Sequence, residues 1–136
     1  MKYIFFFLIL FSSKHILLAN EITMEQARKV AMSFFCETIR SRGGIPRFQL
    51  VWDGESTTTR GGSSPAFYVF NRMDSDGFVI ISGDDVTMPI LGYSCSNHFV
   101  VENMPPNLLD WMDELRNQIN AVREEHVVGT SYISKA

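Results

Sequence analysis

Outside the amino-terminal 19 residues, the side chains suited to nucleophilic or metal chemistry are Cys36, Cys95, His98 and His126. Cys95-Ser96-Asn97-His98 sets a thiol, an amide and an imidazole close together in sequence. A cysteine nucleophile does need a base to form thiolate and a group to orient that base. Such a constellation is normally assembled from separate elements meeting across a cleft, with an oxyanion hole opposite. A single short loop does not provide this, and the segment reads as a connector. Two Cys and two His without closely paired ligands also miss the spacing of a structural zinc site. Asp74-x-Asp76-Gly77 shares part of a calcium loop. If Gly77 is loop position six, however, position one is Arg72 and position twelve is Gly83, and neither is a carboxylate. The segment therefore reads as a turn. Asp84-Asp85, directly after Gly83, reads as a solvated turn, since an acid/base pair needs a partly buried cleft. Gly61-Gly62-Ser63-Ser64 leads into no helix and so is no phosphate cradle. The expectation is a chain without cofactor, metal site or catalytic residues.

The elements that would position these groups are legible from periodicity. Thr23-Met24-Glu25-Gln26 is a capping box, and Ala27, Val30, Ala31, Phe34, Thr38 and Ile39 then recur along one helical face. Gly43-Gly44 stops that helix and Pro46 prevents its return. Strands are expected at 48–52, with Phe48, Leu50 and Trp52 on one side, and at 66–71 and 77–82, joined as a hairpin. Two shorter strands follow at 90–93 and 99–101, and 53–65 forms a mobile loop. From Leu108, the residues Trp111/Met112, Leu115, Ile119 and Val122 repeat at helical spacing, with Asp110, Asp113 and Glu114 complementing the helix dipole. That pattern fades over 123–136. The fold class implied is α+β: a small antiparallel sheet with the N-terminal and C-terminal helices packed on one face.

The chain has 136 residues, 46% of them hydrophobic, but the apolar weight is concentrated at the start. Lys2, the run Tyr3–Phe11 and then Leu17-Leu18-Ala19 have the layout of a secretory signal. The division expected is a signal peptide at 1–19, one domain at 20–125 and a flexible tail at 126–136. The mature module would be secreted or periplasmic. Without residues 1–19 the chain loses Lys2 and Lys14, leaving 10 basic residues against 15 acidic. An acidic chain without a basic cluster argues against nucleic acid as partner. No later stretch reaches the ~20 apolar residues of a membrane helix, so no stable membrane insertion follows signal cleavage. Export would permit Cys36 and Cys95 to pair, but nothing in the sequence brings them together.

One segment has the physical character of a recognition element. Pro105-Pro106 holds the backbone extended and removes two amide donors, so a segment containing it loses little entropy on docking. Asn107 then offers an amide with donors and an acceptor. A plainer reading makes the prolines a helix start and Asn107 its N-cap; the two readings are compatible. The segment also completes a larger pattern. Gly77-Phe78-Val79-Ile80-Ile81-Ser82-Gly83-Asp84, Pro89-Ile90-Leu91-Gly92-Tyr93-Ser94, and Pro105-Pro106-Asn107-Leu108 with Trp111-Met112 together resemble the propeptide of streptopain-like cysteine peptidases. These form the peptidase C10 family, whose free-standing propeptide relatives act as Spi-type inhibitors.

The resemblance implies a prodomain fold that packs on its peptidase and obstructs the catalytic Cys/His centre. It implies that the loop into the last helix approaches that centre, with Asn107 reaching the cleft and Met104, Pro105, Pro106 and Leu108 flanking it. The sequence ends at Ala136 with no catalytic domain behind it. The expected function is therefore that of a stand-alone inhibitor acting on a separate streptopain-like cysteine peptidase. The alternative is an orphan prodomain that assists folding of a separately encoded or truncated peptidase.

Overall fold

The computed structural model describes residues 20–38, 45–54 and 64–133. The expected signal peptide, the Gly43-Gly44 helix stop and most of the 53–65 loop lie outside these residues. Helix α1 (Met24–Thr38) is followed by strands β1 (Phe48–Trp52), β2 (Phe67–Arg72), β3 (Phe78–Ser82) and β4 (Ile90–Ser94), and by helix α2 (Pro106–Ile133). The strands form one antiparallel sheet in the order β1-β2-β3-β4. The α+β class and the antiparallel meander match expectation.

α1 starts as its capping box requires. The Thr23 amide donates to Gln26 Oε1 at 2.8 Å, and the Gln26 amide donates back to Thr23 Oγ1 at 3.3 Å. Two orphan amide donors of the first turn are thereby satisfied. The helix buries Ala27, Ala31 and Phe35 against Phe48, Tyr68, Phe70, Val79 and Ile81, with Val30 and Phe34 at the margin. The buried stripe is thus centred on Phe35, one residue past the Phe34 that the periodicity selects.

The two helices do not share a face. α1 covers the face carrying Tyr68, Phe70, Val79 and Ile81. α2 instead packs Met112 and Ile119 against the opposite face, on Phe67, Val69 and Ile80. The physical reason is that β2 and β3 are apolar on both sides. Phe67-Tyr68-Val69-Phe70 and Val79-Ile80-Ile81 are unbroken runs in which every residue is buried, and each face needs its own cover. β1 accommodates this with a register shift between Leu50 and Trp52. Phe48 and Leu50 join the α1 core, whereas Val51 and Trp52 both join the α2 core, so the simple alternation expected for 48–52 is broken by a bulge.

The expected strand at 99–101 is also absent. Phe99 is instead latched by one side chain: its amide donates to Asn71 Oδ1 at 2.7 Å, and Asn71 Nδ2 donates to the Phe99 carbonyl at 2.9 Å. This reciprocal pair substitutes for a rung of sheet, and the segment runs over the sheet without extending it.

Asp84 is the largest departure from the sequence reading. It is 2% exposed and accepts from Arg123 Nε at 3.3 Å on one carboxylate oxygen and from the Val86 amide at 3.0 Å on the other. The Arg123 guanidinium also donates to the carbonyls of Ser64 (2.8 Å), Pro65 (3.0 Å) and Gly83 (2.8 Å). Gly83 is required by close approach, since a Cβ there would lie 2.0 Å from the Pro65 carbonyl oxygen. This polar anchor ties α2 to the sheet at the point where the apolar spacing has faded, and the helix continues to Ile133.

Replacing Arg123 with Met leaves the Asp84 carboxylate buried without its cation and the Ser64 and Pro65 carbonyls without the guanidinium donor, while Gly83 keeps the Ile22 amide. Urea denaturation of Arg123→Met should show a loss of about 2–4 kcal/mol with an unchanged m-value. A loss below about 0.5 kcal/mol would show that the anchor is not structural.

Candidate functional site

The residues expected to bind a partner lie where the chain turns into α2. Asn103 adopts a left-handed backbone, with φ of 56°, a conformation that Asn tolerates better than most residues. The turn sends Met104 inward against the α2 core and leaves Pro105, Pro106 and Asn107 exposed. The Pro105 carbonyl accepts from the Leu108 amide at 3.0 Å and the Leu109 amide at 3.1 Å. Pro105 is therefore the capping residue. Pro106 is the first helical residue, where a missing amide hydrogen costs nothing. Asn107 follows inside the first turn and is not the cap. No hydrogen bond among the described residues involves its side chain, so the amide is presented to solvent with its donors and acceptor open. The first turn of α2 carries no acid; Asp110 stands just beyond it.

Beside this turn lies an open groove of about 420 Å³. Phe78, Ile80 and Phe99 form its base, Pro105 and Leu108 its α2 side, and Val100 the opposite rim. Tyr93 borders it too, but its ring is turned to the α1 face of the sheet, with its centroid 4.8 Å from that of Phe34. Trp111 leans over the groove, held above Gly92, where a Cβ would sit 3.6 Å from the indole edge. The rim is unusually apolar for a surface: Val100 is 60% exposed and Trp111 44%. On a helix of 3.6 residues per turn, Asn107 and Trp111 are four apart and share a face. The groove, the indole and the free amide thus form one continuous surface. Of the five expected site residues, Pro105 and Leu108 line the groove, Pro106 and Asn107 flank it, and Met104 anchors the turn from within. Trp111 and Val100 are not among the expected contact residues; the helical spacing sets Trp111 together with Met112 in the apolar repeat, and the structure buries Met112 while leaving the indole 44% exposed.

His98 also lines the groove, and its Nε2 lies 3.2 Å from the Ser75 carbonyl oxygen, which ties the imidazole to the β2–β3 turn. Cys36 and Cys95 are free and exposed. In the β2–β3 turn, Arg72 Nη2 lies 2.6 Å from Asp74 Oδ2, and the Arg47 amide also donates to the Asp74 carboxylate at 3.4 Å. The hydrogen bond from the Arg72 guanidinium holds the Asp74 carboxyl below its ordinary value. That turn is closed by a cation of the protein itself. The arrangement around α2 is one of recognition: a rigid backbone, a free amide and desolvatable apolar area.

A lowered carboxyl pKa contributes stability above the unfolded value, and that stability is lost as pH falls through the folded pKa. Wild-type protein should therefore lose stability on acidification below about pH 4, and Asp74→Asn should lose less over the same window. Thermal melts between pH 5 and pH 2 measure this, and parallel curves would remove the Arg72–Asp74 pair from the account.

Comparison with known proteins bears on this geometry. A family model described as Spi protease inhibitor matches residues 19–119. The thiol protease/hemagglutinin PrtT of Porphyromonas gingivalis is 30% identical over 128 residues, covering 91% of this chain and 14% of that relative. The chain thus spans about one seventh of the length of the curated relative it matches. No solved structure gives a significant match.

Proposed function

Because the chain belongs to the Spi protease inhibitor family, we propose that it inhibits a streptopain-like cysteine peptidase by non-covalent occlusion of the active-site cleft. We further propose that it acts outside the cytoplasm after removal of residues 1–19. The observation that carries the reading is the uncommitted Asn107 amide on a proline-capped helix start, next to an apolar groove.

Each part of that surface suits the task. Pro105 and Pro106 have fixed φ and lose little freedom on binding. A bond flanked by proline is also a poor fit to a peptidase that needs an extended chain with its amide hydrogens in place. Asn107 supplies donors and an acceptor to polar groups in the cleft. The positive end of the α2 dipole, at the same point, favours the electron-rich environment of a cysteine thiolate. Trp111, with Val100 beside the groove, supplies the large apolar area that dominates binding energy at interfaces. Cys95 has no role in this mechanism, and inhibition requires no covalent step.

A second reading rests on the relative. A thiol protease matched over 14% of its length is consistent with a region that accompanies a peptidase domain and assists its folding. Refolding a streptopain-like peptidase with and without this module separates the two readings. An assistant raises the recovered activity after the module is removed, whereas an inhibitor lowers activity only while it is present.

The inhibition constant against a panel of streptopain-like peptidases tests the proposal. Asn107→Ala should weaken inhibition about 10- to 100-fold, and Trp111→Ala about 30-fold or more. Lys29→Ala, on the exposed side of α1, should change nothing, and all three variants should keep their circular dichroism spectra. Peptidase activity unaffected by wild-type protein across the panel would refute the proposal. Undiminished inhibition by Asn107→Ala would limit that residue to a bystander.

A further inference from the structure

The start of the described chain is fastened at an unusual density. The Asn20 backbone nitrogen lies 2.8 Å from Asp85 Oδ1, and Asn20 Nδ2 lies 3.3 Å from Asp85 Oδ2. The Asp85 amide donates to the Asn20 carbonyl at 3.2 Å, and the Ile22 amide donates to the Gly83 carbonyl at 2.9 Å. Between them, the Glu21 carboxylate accepts from the Ser64 hydroxyl. Residues 20–22 therefore run as a short antiparallel strand along 83–85.

The carboxylates around this segment are held in different ways. Asp84 is neutralised by Arg123, and Glu21 turns to Ser64. The Asp85 carboxylate has no cation: among the described residues, both its oxygens are directed at nitrogens of Asn20 and at nothing else. In a continuous chain the Asn20 nitrogen is a neutral amide with one hydrogen. If Asn20 is the first residue, the same atom is an α-ammonium with three hydrogens and a positive charge near neutral pH. It then already sits at charge-assisted hydrogen-bond distance from an unneutralised carboxylate. A chain beginning one residue earlier carries its ammonium about 3.5 Å further along the backbone and leaves the Asn20 nitrogen a neutral amide.

The geometry points to proteolytic processing at the Ala19–Asn20 bond, with the α-ammonium it frees forming a structural ion pair with Asp85. This inference rests on the export reading and goes beyond it by giving the new terminus a structural role. Hydrolysis of that bond releases the preceding segment with a carboxylate at Ala19 and leaves the amine on Asn20; water is the only co-reactant. The pair lies next to Gly83 and Asp84, the two residues to which Arg123 ties α2. Removal of the leader thus turns a neutral amide hydrogen bond into a charged clamp on the turn at which the second helix is anchored.

Two measurements test the inference. N-terminal sequencing of the exported protein should read Asn-Glu-Ile-Thr; any other first residue overturns the processing assignment. A thermal-stability cycle then uses protein prepared to begin at Asn20, with its amine free or acetylated, each with and without Asp85→Asn. The Asn side chain keeps one acceptor oxygen for the Asn20 nitrogen. Its loss of the second acceptor, facing Asn20 Nδ2, is common to both backgrounds and cancels in the cycle. Asp85→Asn should lower Tm by about 1–4 °C with the free amine and by clearly less when acetylation has removed the charge. Equal shifts in the two backgrounds would overturn the ion pair even if the export reading stands. A protein that keeps Met1 in the producing cell would overturn the export reading itself.

Discussion

Asp84 cannot be buried as a lone carboxylate, and the rest of the fold is arranged around its solution. Desolvating that charge without a partner would cost several kcal/mol. Arg123 provides the partner and spends its remaining donors on the carbonyls of Ser64, Pro65 and Gly83. One guanidinium therefore joins the approach to β2, the exit of β3 and the middle of α2. The N-terminal strand at 20–22 is laid along the same turn. Because a helix is a rigid rod with a rise of 1.5 Å per residue, fixing α2 at Arg123 also fixes Asn107, about 24 Å away at its other end. The anchor and the recognition surface thus occupy opposite ends of one lever.

The two faces of the sheet divide the work. On the α1 face a capped helix covers aromatic and aliphatic side chains, Tyr68 donates its hydroxyl to the Ile22 carbonyl at 2.8 Å, and a smaller groove of about 330 Å³ is left beside Met32 and Phe48. The α2 face is left partly open. Trp52, Phe67 and Phe99 pack edge to face or tilted, with ring centroids 5.2 and 6.2 Å apart from Trp52, and the helix passes over them at an angle that leaves the groove beneath Trp111. A stable module with an incompletely covered apolar face is what an interaction protein requires, because the uncovered area is available to a partner.

What could be read from the sequence was local. The Thr23–Gln26 capping box, the hairpin at 72–77 and the proline start of α2 each announce themselves within a few residues. The placement of the helices was also encoded, but in a subtler form. Consecutive buried residues in β2 and β3, without polar alternation, are the mark of strands covered on both faces. Three features depend on partners far away in sequence and carry no local signal. These are the Asn71 latch on Phe99, the bulge that turns both Val51 and Trp52 to the α2 side, and the pairing of Asp84 with Arg123. For the site, the sequence indicated the turn and the resemblance indicated Asn107. The neighbouring indole and groove arise only when β4, the 98–100 segment and α2 meet.

The central claim is that this surface enters the catalytic cleft and does not bind the peptidase elsewhere. The direct measurement is the affinity of the module for a streptopain-like peptidase whose catalytic cysteine has been modified by a covalent peptidyl inhibitor that fills the cleft, compared with the unmodified enzyme. Occlusion predicts that binding to the filled enzyme is lost or weakened at least 100-fold. Equal affinity for filled and empty enzyme would contradict it and move the contact to a surface outside the cleft.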